Sequence, residues 1–226
     1  MTETLEERAR IFATEAHERA GQKRKYTNEP YITHPAAVVE LVRSVPHTEE
    51  QLAAAWLHDT VEDTGATIDE IYDRFGQEVA RYVSFLTDVS KPSDGTRVQR
   101  KAIDREHTYR APAPVKTVKL ADLIDNGVNI LERDPEFARV YLAEKALLLE
   151  VLREGDSTLW ARADAIVSSS QQVQADLDKA LRTSALELVQ SLGAVGVRGS
   201  PEVLQRYRQA FDEVSRIVHP YRRYLK

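Results

Sequence analysis

The stretch Ala53-Ala54-Ala55-Trp56-Leu57-His58-Asp59-Thr60-Val61-Glu62-Asp63-Thr64 decides how this chain is read. An apolar helical run leads straight into a cluster of polar and ionisable groups. Adjacent His and Asp side chains cannot share one face of a regular helix, because successive residues are rotated away from each other. They can converge where a helix ends. There, His58 and Asp59 offer one imidazole nitrogen and one carboxylate oxygen to a common cation. Glu62 and Asp63 follow one turn later, close enough to support such a cation or to act as a base.

Outward from this stretch the chain reads as helices. Thr4–Glu7, Thr48–Gln51, Thr67–Glu70 and Thr96–Gln99 each fit the capping-box spacing, a hydroxyl with Glu or Gln three positions on. Asp134-Pro135 and Ser200-Pro201 add an N-cap followed by proline in the first turn. Gly76, Gly155 and Gly193 follow periodic segments and read as C-terminal stops. Apolar residues recur at three and four, as in Val38, Leu41, Val42 and Val45, and again in Leu147, Leu148, Val151 and Leu152. Nothing shows sustained alternation. The predicted fold class is all-α, with helices near 4–20, 34–44, 49–59, 68–75, 77–90, 97–109, 114–131, 136–154, 157–168, 173–192 and 201–217.

With 226 residues the chain has room for one domain and a small appendage. The polar run 168–172 and the glycine-bearing segment 192–200 divide it into a core of residues 1–167 and a C-terminal helical extension, 168–226. The absence of cysteine excludes disulfides, zinc–cysteine sites, iron–sulfur clusters and a thiol nucleophile. A net charge of −5 argues against a general nucleic-acid binder, which needs a basic surface. No apolar run approaches the roughly 20 residues of a membrane span. The charged N-terminus, MTETLEERAR, does not read as a signal peptide. The expectation is a soluble, cytoplasmic protein that binds neither nucleic acid nor membrane. Leu186, Leu188, Val189 and Leu192 form an apolar stripe in the extension. It more often packs on its own core, but leaves a homo-oligomer through the C-terminal helices open.

Two further candidates lie outside the opening stretch. His34 sits in Tyr31-Ile32-Thr33-His34-Pro35, at a predicted helix start fixed by proline. Asp122 sits in Val118-Lys119-Leu120-Ala121-Asp122-Leu123-Ile124, where a carboxylate is costly unless paired or metal-bound. Asn126 lies one turn beyond it on the same face. Each piece alone has a plainer explanation: a His-Asp surface pair, a turn histidine, a buried Asp paired with nearby Lys119, a solvated acidic turn. The order His … His-Asp … Asp on helices changes that balance.

That order is the signature of the HD superfamily of metal-dependent phosphohydrolases. The local sequence resembles the hydrolase domain of the RelA/SpoT alarmone enzymes, particularly the small stand-alone alarmone hydrolases. Besides the blocks at 31–35 and 55–64, the matching segments are Phe75-Gly76-Gln77-Glu78-Val79-Ala80, Leu86-Thr87-Asp88, Arg100-Lys101 and Val118-Lys119-Leu120-Ala121-Asp122 with Asn126. They cover about residues 5–155 in the family's order.

The resemblance implies that His34, His58, Asp59 and Asp122 are metal ligands, with manganese the family's usual ion. Two imidazoles and two carboxylates suit a divalent ion, and an octahedral one keeps two positions open. Glu62 and Asp63 match the catalytic acidic pair, with Asp63 the better candidate to activate water. Asn126 matches a contact to the nucleotide's sugar. Arg24, in Gln22-Lys23-Arg24-Lys25-Tyr26, matches the position that stacks on the base, with Lys25 and Tyr31 lining the same mouth. Lys116 is taken as a pyrophosphate contact, and Arg100, Lys101 and Lys119 are further candidates. The sequence departs from the larger relatives at Leu123, where a basic residue is usual, and at Asp125, where His or Tyr is usual. Asn129 stands where a hydroxyl residue is common. These departures touch the nucleotide pocket.

The implied activity is a hydrolase removing the 3′-pyrophosphate from the alarmone (p)ppGpp, to give GDP or GTP. Residues 168–226 are too short for a synthetase domain and carry no phosphate-cradling loop. The nearest alternative keeps the cage and acts on (p)ppApp or on the 2′-phosphate of NADPH. A non-catalytic binding module is the alternative from another class, disfavoured by the presence of every cage residue and of both acids.

Overall fold

The computed structural model describes residues 3–168, and every structural statement below concerns those residues. The fold is all-α. The helices are α1 (Leu5–Arg19), α2 (Thr33–Arg43), α3 (Glu49–Leu57), α4 (Thr60–Asp63), α5 (Ile68–Phe75), α6 (Gln77–Leu86), α7 (Arg97–Tyr109), α8 (Ala113–Arg133) and α9 (Pro135–Val151). Residues 157–168 are helical as well. No helix among the described residues is long and apolar enough to cross a membrane. The helices expected at 173–192 and 201–217, the connection at 192–200 and the apolar stripe from Leu186 to Leu192 lie outside the described residues.

The starts obey local chemistry. Thr4, Thr48, Thr67 and Thr96 each accept the backbone N–H three residues on. At Thr48 and Thr96 the Gln side chain also returns to the cap's own N–H, at 2.9 and 2.8 Å, so two orphan donors are satisfied at once. Such a cap is worth about 1 kcal/mol. Asp134 caps α9, with Pro135 as its first residue. Gly76, at φ 87°, ends α5 and begins α6, a backbone conformation that costs glycine nothing.

The core is built around α3 and α8. Every residue of α3 from Gln51 to Leu57 is buried. Its alanines let α1, α2, α6 and α8 pack close around it. Enlarging one of those alanines would overpack the centre, at about 1–3 kcal/mol. In α8, Val115, Val118, Leu120, Ala121, Leu123 and Ile124 are buried against α2, α3, α6 and α9. Each fully buried leucine contributes about 2–3 kcal/mol of transfer free energy. These two well-anchored helices carry the site.

Several expectations need correction, among them the end of α6, which lies at Leu86 rather than near 90. Helix α3 ends at Leu57 rather than 59, which places His58 and Asp59 at a break. The stripe read as Leu147, Leu148, Val151 and Leu152 fails at one member: Leu152 is buried and Leu148 packs against the core, but Leu147 points outward. Leu142, Leu149 and Leu152 are buried, while Leu147 is exposed. Two residues is about 200° of helix, so Leu147 and Leu149 face opposite ways. Gly155 is not the stop of α9, which ends at Val151. It is the point where the chain passes close to α8, since a Cβ there would lie 2.8 Å from Leu120 Cδ1 and 3.0 Å from the Lys116 carbonyl carbon.

Candidate active site

His58 caps the C-terminus of α3, and Asp59 opens the short α4. A helix end leaves carbonyl groups without partners. Here two of them are taken up locally: the His58 Nδ1–H donates to Ala55 O at 2.8 Å and the Thr60 hydroxyl to Leu57 O at 2.7 Å. The first bond fixes the tautomer, because a carbonyl only accepts. His58 Nε2 is therefore the free, lone-pair nitrogen. His34, in the first turn of α2, is set in the same way, its Nδ1 2.7 Å from Asp125 Oδ2. Its Nε2 is likewise turned to the site.

The two Nε2 atoms are 3.2 Å apart. Asp59 Oδ2 lies 3.0 Å from His58 Nε2 and 3.6 Å from His34 Nε2. Asp122 Oδ1 lies 3.3 and 3.9 Å from His34 and His58 Nε2 respectively. Two imidazole nitrogens and two carboxylate oxygens thus converge on one point of the fold. Ligands about 2.1 Å from one ion and at right angles would stand roughly 3 Å apart, a spacing that His34, His58 and Asp59 approach, as a divalent cation requires. The group whose donor atoms all lie within 4.8 Å of one another is His34, His58 and Asp59; Asp122, although near both histidines, falls outside it. The same two carboxylate oxygens also accept hydrogen bonds, Asp59 Oδ2 from the Tyr31 hydroxyl at 2.6 Å and Asp122 Oδ1 from Asn126 Nδ2 at 2.6 Å. Lys119 Nζ lies 3.6 Å from Asp122 Oδ2.

The cluster's electrostatics demand positive charge. Burial alone would favour neutral His34, but hydrogen bonds to Asp122 and Asp125 outweigh it and carry its pKa up to about 9. Burial opposes the charge on Asp59 and Asp122, yet the histidines and Lys119 keep both carboxyls below the usual range. Glu62 behaves differently. It is exposed over the residue as a whole, but the protein packed around its carboxyl raises its pKa to about 7 despite the opposing pull of Lys119. Its Oε1 accepts the Asp88 backbone N–H at 2.5 Å.

Two cavities meet at Tyr31 and Asn126. The first, of about 220 Å³, is bordered by Asp59, Glu62, Asp63, Asp122, Lys101, Lys119 and Lys145. The second, of about 270 Å³, is bordered by Arg24, Lys25 and Tyr26 and by the side chains Ile130, Phe137 and Tyr141. One is ionic and sized for phosphate groups. The other is aromatic, with a guanidinium at its edge, and suits a flat heterocycle.

A family model of the HD domain matches residues 9–145. The chain belongs to the HD-domain family. It is similar to a Synechocystis protein named probable guanosine-3′,5′-bis(diphosphate) 3′-pyrophosphohydrolase, at 37% identity over 135 residues, 58% of this chain and 17% of that protein. It is also similar to guanosine-3′,5′-bis(diphosphate) 3′-pyrophosphohydrolase MESH1 of Xenopus tropicalis, at 38% identity over 130 residues, 55% of this chain and 69% of that one. Among solved structures it resembles a metazoan orthologue of SpoT that hydrolyses ppGpp, with a TM-score of 0.66 and 26% identity, covering 75% of this chain and 97% of that one. This chain spans 17% of the length of the Synechocystis relative, so the likeness there concerns one part of a longer protein.

Of the residues expected at the site in this HD domain, Asp59, Glu62, Asp63, Asp122, Asn126, Tyr31, Arg24 and Lys25 border the two cavities, whereas His34 and His58 border neither and lie within 3.9 Å of Asp59 and Asp122. Lys116 is the exception. It is buried and paired with Glu154 at 2.6 Å, and it borders neither cavity. Helical phase explains the correction. Six residues from Asp122 place Lys116 about 120° round α8, whereas Lys119 and Asn126 are within about 60°. Leu123, one of the departures from the relatives, is fully buried in the core and away from both cavities. Sequence reasoning missed Lys145, Arg105, Asp104 and Glu144 on the cavity wall. They come from α7 and α9, and no local motif links them to the ligands.

Proposed function

We propose that this HD domain is a manganese-dependent hydrolase that removes the 3′-pyrophosphate from a (p)ppGpp-like alarmone in the cytoplasm, releasing GDP or GTP and pyrophosphate. The observation that carries the reading is the joint at Tyr31 and Asn126: a four-acceptor cluster and ionic cavity on one side, an aromatic cavity on the other. A substrate with a nucleoside and a polyphosphate spans both. The names of the relatives support the same chemistry.

His34, His58, Asp59 and Asp122 would hold the ion. When bound, a divalent ion lowers the pKa of water and offsets phosphoryl charge. Two imidazoles with two carboxylates suit an ion between hard and borderline, as manganese is. Asp63, open to the ionic cavity, takes the proton of the attacking water. Glu62 holds a proton near neutrality and delivers it to the departing 3′ oxygen. The bond from water oxygen to phosphorus forms as the phosphorus–O3′ bond breaks. Lys101, Lys119 and Lys145 offset the phosphate charge, while Arg24 and Lys25 border the base.

The second reading keeps the cage and changes the substrate to (p)ppApp or the 2′-phosphate of NADPH. It is favoured by Arg24, which is drawn onto Asp125 at 2.8 Å instead of lying free for a base. The test is pyrophosphate release from ppGpp by the purified protein, with and without manganese, beside parallel wells of ppApp and NADPH assayed for their own products. Manganese-dependent release from ppGpp is expected. Turnover in another well alone would replace the substrate, and silence in all wells with metal bound would favour a non-catalytic binding module.

A further inference from the structure

Asp125 occupies the position where the larger alarmone hydrolases carry a His or Tyr. In this chain one of its oxygens serves two partners. Asp125 Oδ2 accepts from His34 Nδ1 at 2.7 Å and lies 2.8 Å from Arg24 Nη2. His34 presents its other nitrogen to the four-acceptor cluster, and Arg24 borders the aromatic cavity. A single carboxylate oxygen therefore joins the nucleoside side of the site to an ion ligand. The Arg24 and Asp125 side chains are only 12% and 16% exposed. At that degree of burial water screens their attraction weakly.

We propose that Asp125 is a positioning residue that couples ion affinity to the engagement of Arg24. The inference rests on the metal site proposed above. A carboxylate behind a histidine ligand fixes its tautomer and makes the opposite nitrogen a better donor. A guanidinium on the same oxygen draws charge away from that support. In the resting protein Arg24 and His34 share Asp125, and the ion is held less tightly. When a nucleotide draws Arg24 into the aromatic cavity, the guanidinium no longer competes with His34 for Asp125 Oδ2 and the ion is held more tightly. Linkage is reciprocal, so a bound ion strengthens nucleotide binding by the same factor.

The test is a double-mutant cycle on the full chain, with Mn²⁺ as the probe and no nucleotide present. Free and bound Mn²⁺ are measured by electron paramagnetic resonance for wild type, Asp125→Asn, Arg24→Met and the double variant. Asp125→Asn is expected to weaken Mn²⁺ binding by about 10–100-fold. Arg24→Met, although it touches no ligand, is expected to tighten binding on the order of fivefold. In the Asp125→Asn background the Arg24 change should shift affinity by less than about twofold. The tightening guards against a folding artefact, because a loosened fold does not bind an ion better.

Equal tightening in both backgrounds would show that Arg24 acts on the ion directly through space, and would overturn the coupling. So would unchanged affinity in Asp125→Asn, or weaker binding in Arg24→Met. Wild-type protein that binds no Mn²⁺ would overturn the metal reading along with this one. Wild-type binding without coupling in the cycle would overturn this one alone.

Discussion

Replacing Lys145 by methionine should make the protein more stable and a poorer enzyme. Lys145 rises from α9 into the ionic cavity. Its only contact of note is the Tyr141 ring, whose centroid lies 4.8 Å from Nζ, and no carboxylate of the described residues pairs with it. Burial depresses its pKa, and Lys119 and Lys101 push the same way against the pull of Asp122. A lysine whose folded pKa lies below its unfolded value costs stability, in full at every pH below both. Methionine keeps the aliphatic body and removes the charge. With the open side of the cavity allowed for, the gain is about 1–2 kcal/mol, or about 2–8 °C in the melting temperature of a chain this size. In the proposed reaction the same ammonium meets a phosphate oxygen, and a charge-assisted hydrogen bond of that kind is worth about 1.5–3 kcal/mol. Its loss lowers kcat/KM by about 10–150-fold. Thermal melts in chelator and pyrophosphate release across substrate concentrations measure both quantities, and Lys145→Arg should retain most of the activity. A melting temperature that falls would mean Lys145 is structural. A kcat/KM within about twofold of wild type would mean the cavity's cation never meets the substrate.

Asp59→Ala should abolish both Mn²⁺ binding and turnover. Asp63→Ala should keep the ion by equilibrium dialysis and lower kcat by about 10²–10⁴, and an empty site in Asp63→Ala would refute the division between cage and base. The Glu62 pKa is raised from 4.5 to about 7, so the folded state binds the extra proton between those values and stability falls as pH rises through them. In metal-free denaturant titrations Glu62→Gln should therefore gain on wild type by about 1–2 kcal/mol from pH 4.5 to pH 7, after allowance for solvent at the cavity mouth. A pH-independent difference would place that titration elsewhere. Glu154→Ala should cost about 1–2 kcal/mol of stability by stranding buried Lys116 and leave KM unchanged, whereas a raised KM would return Lys116 to the substrate.

What could be read from the sequence was local. Thr48 with Gln51, and Thr96 with Gln99, signalled helix starts because a cap and its partner are three residues apart in any context. The meeting of His58 and Asp59 was legible for the same reason, since only a helix end lets neighbours converge. Phase and tertiary partnership were not legible. Lys116 and Lys119 both precede Asp122 on one helix, and the turn angle that separates a core ion pair from a cavity wall is visible only once the helix is fixed. Lys145 is 23 positions beyond Asp122 on the next helix, and only packing brings it back. The doubled role of Asp125 had no local trace either. It stands out only as a departure from a pattern, and two of its partners, Arg24 and His34, lie far earlier in the chain.

The break after α3 explains why a stable core and a reactive centre coexist in so short a segment. A continuous helix through 57–63 would pair every backbone group, and would point His58 and Asp59 about 100° apart. Breaking it frees carbonyls that would normally cost stability, but the residues at the site repair them: His58 takes Ala55 O and Thr60 takes Leu57 O. The repair of Ala55 O is also what commits the His58 proton to Nδ1 and leaves Nε2 for the ion. The negative end of the α3 dipole then faces the cluster, and favours a cation by about 0.3–1 kcal/mol. Backbone satisfaction, tautomer and charge preference thus follow from one interruption. A substitution that healed the helix would lose the site even with every ligand residue in place.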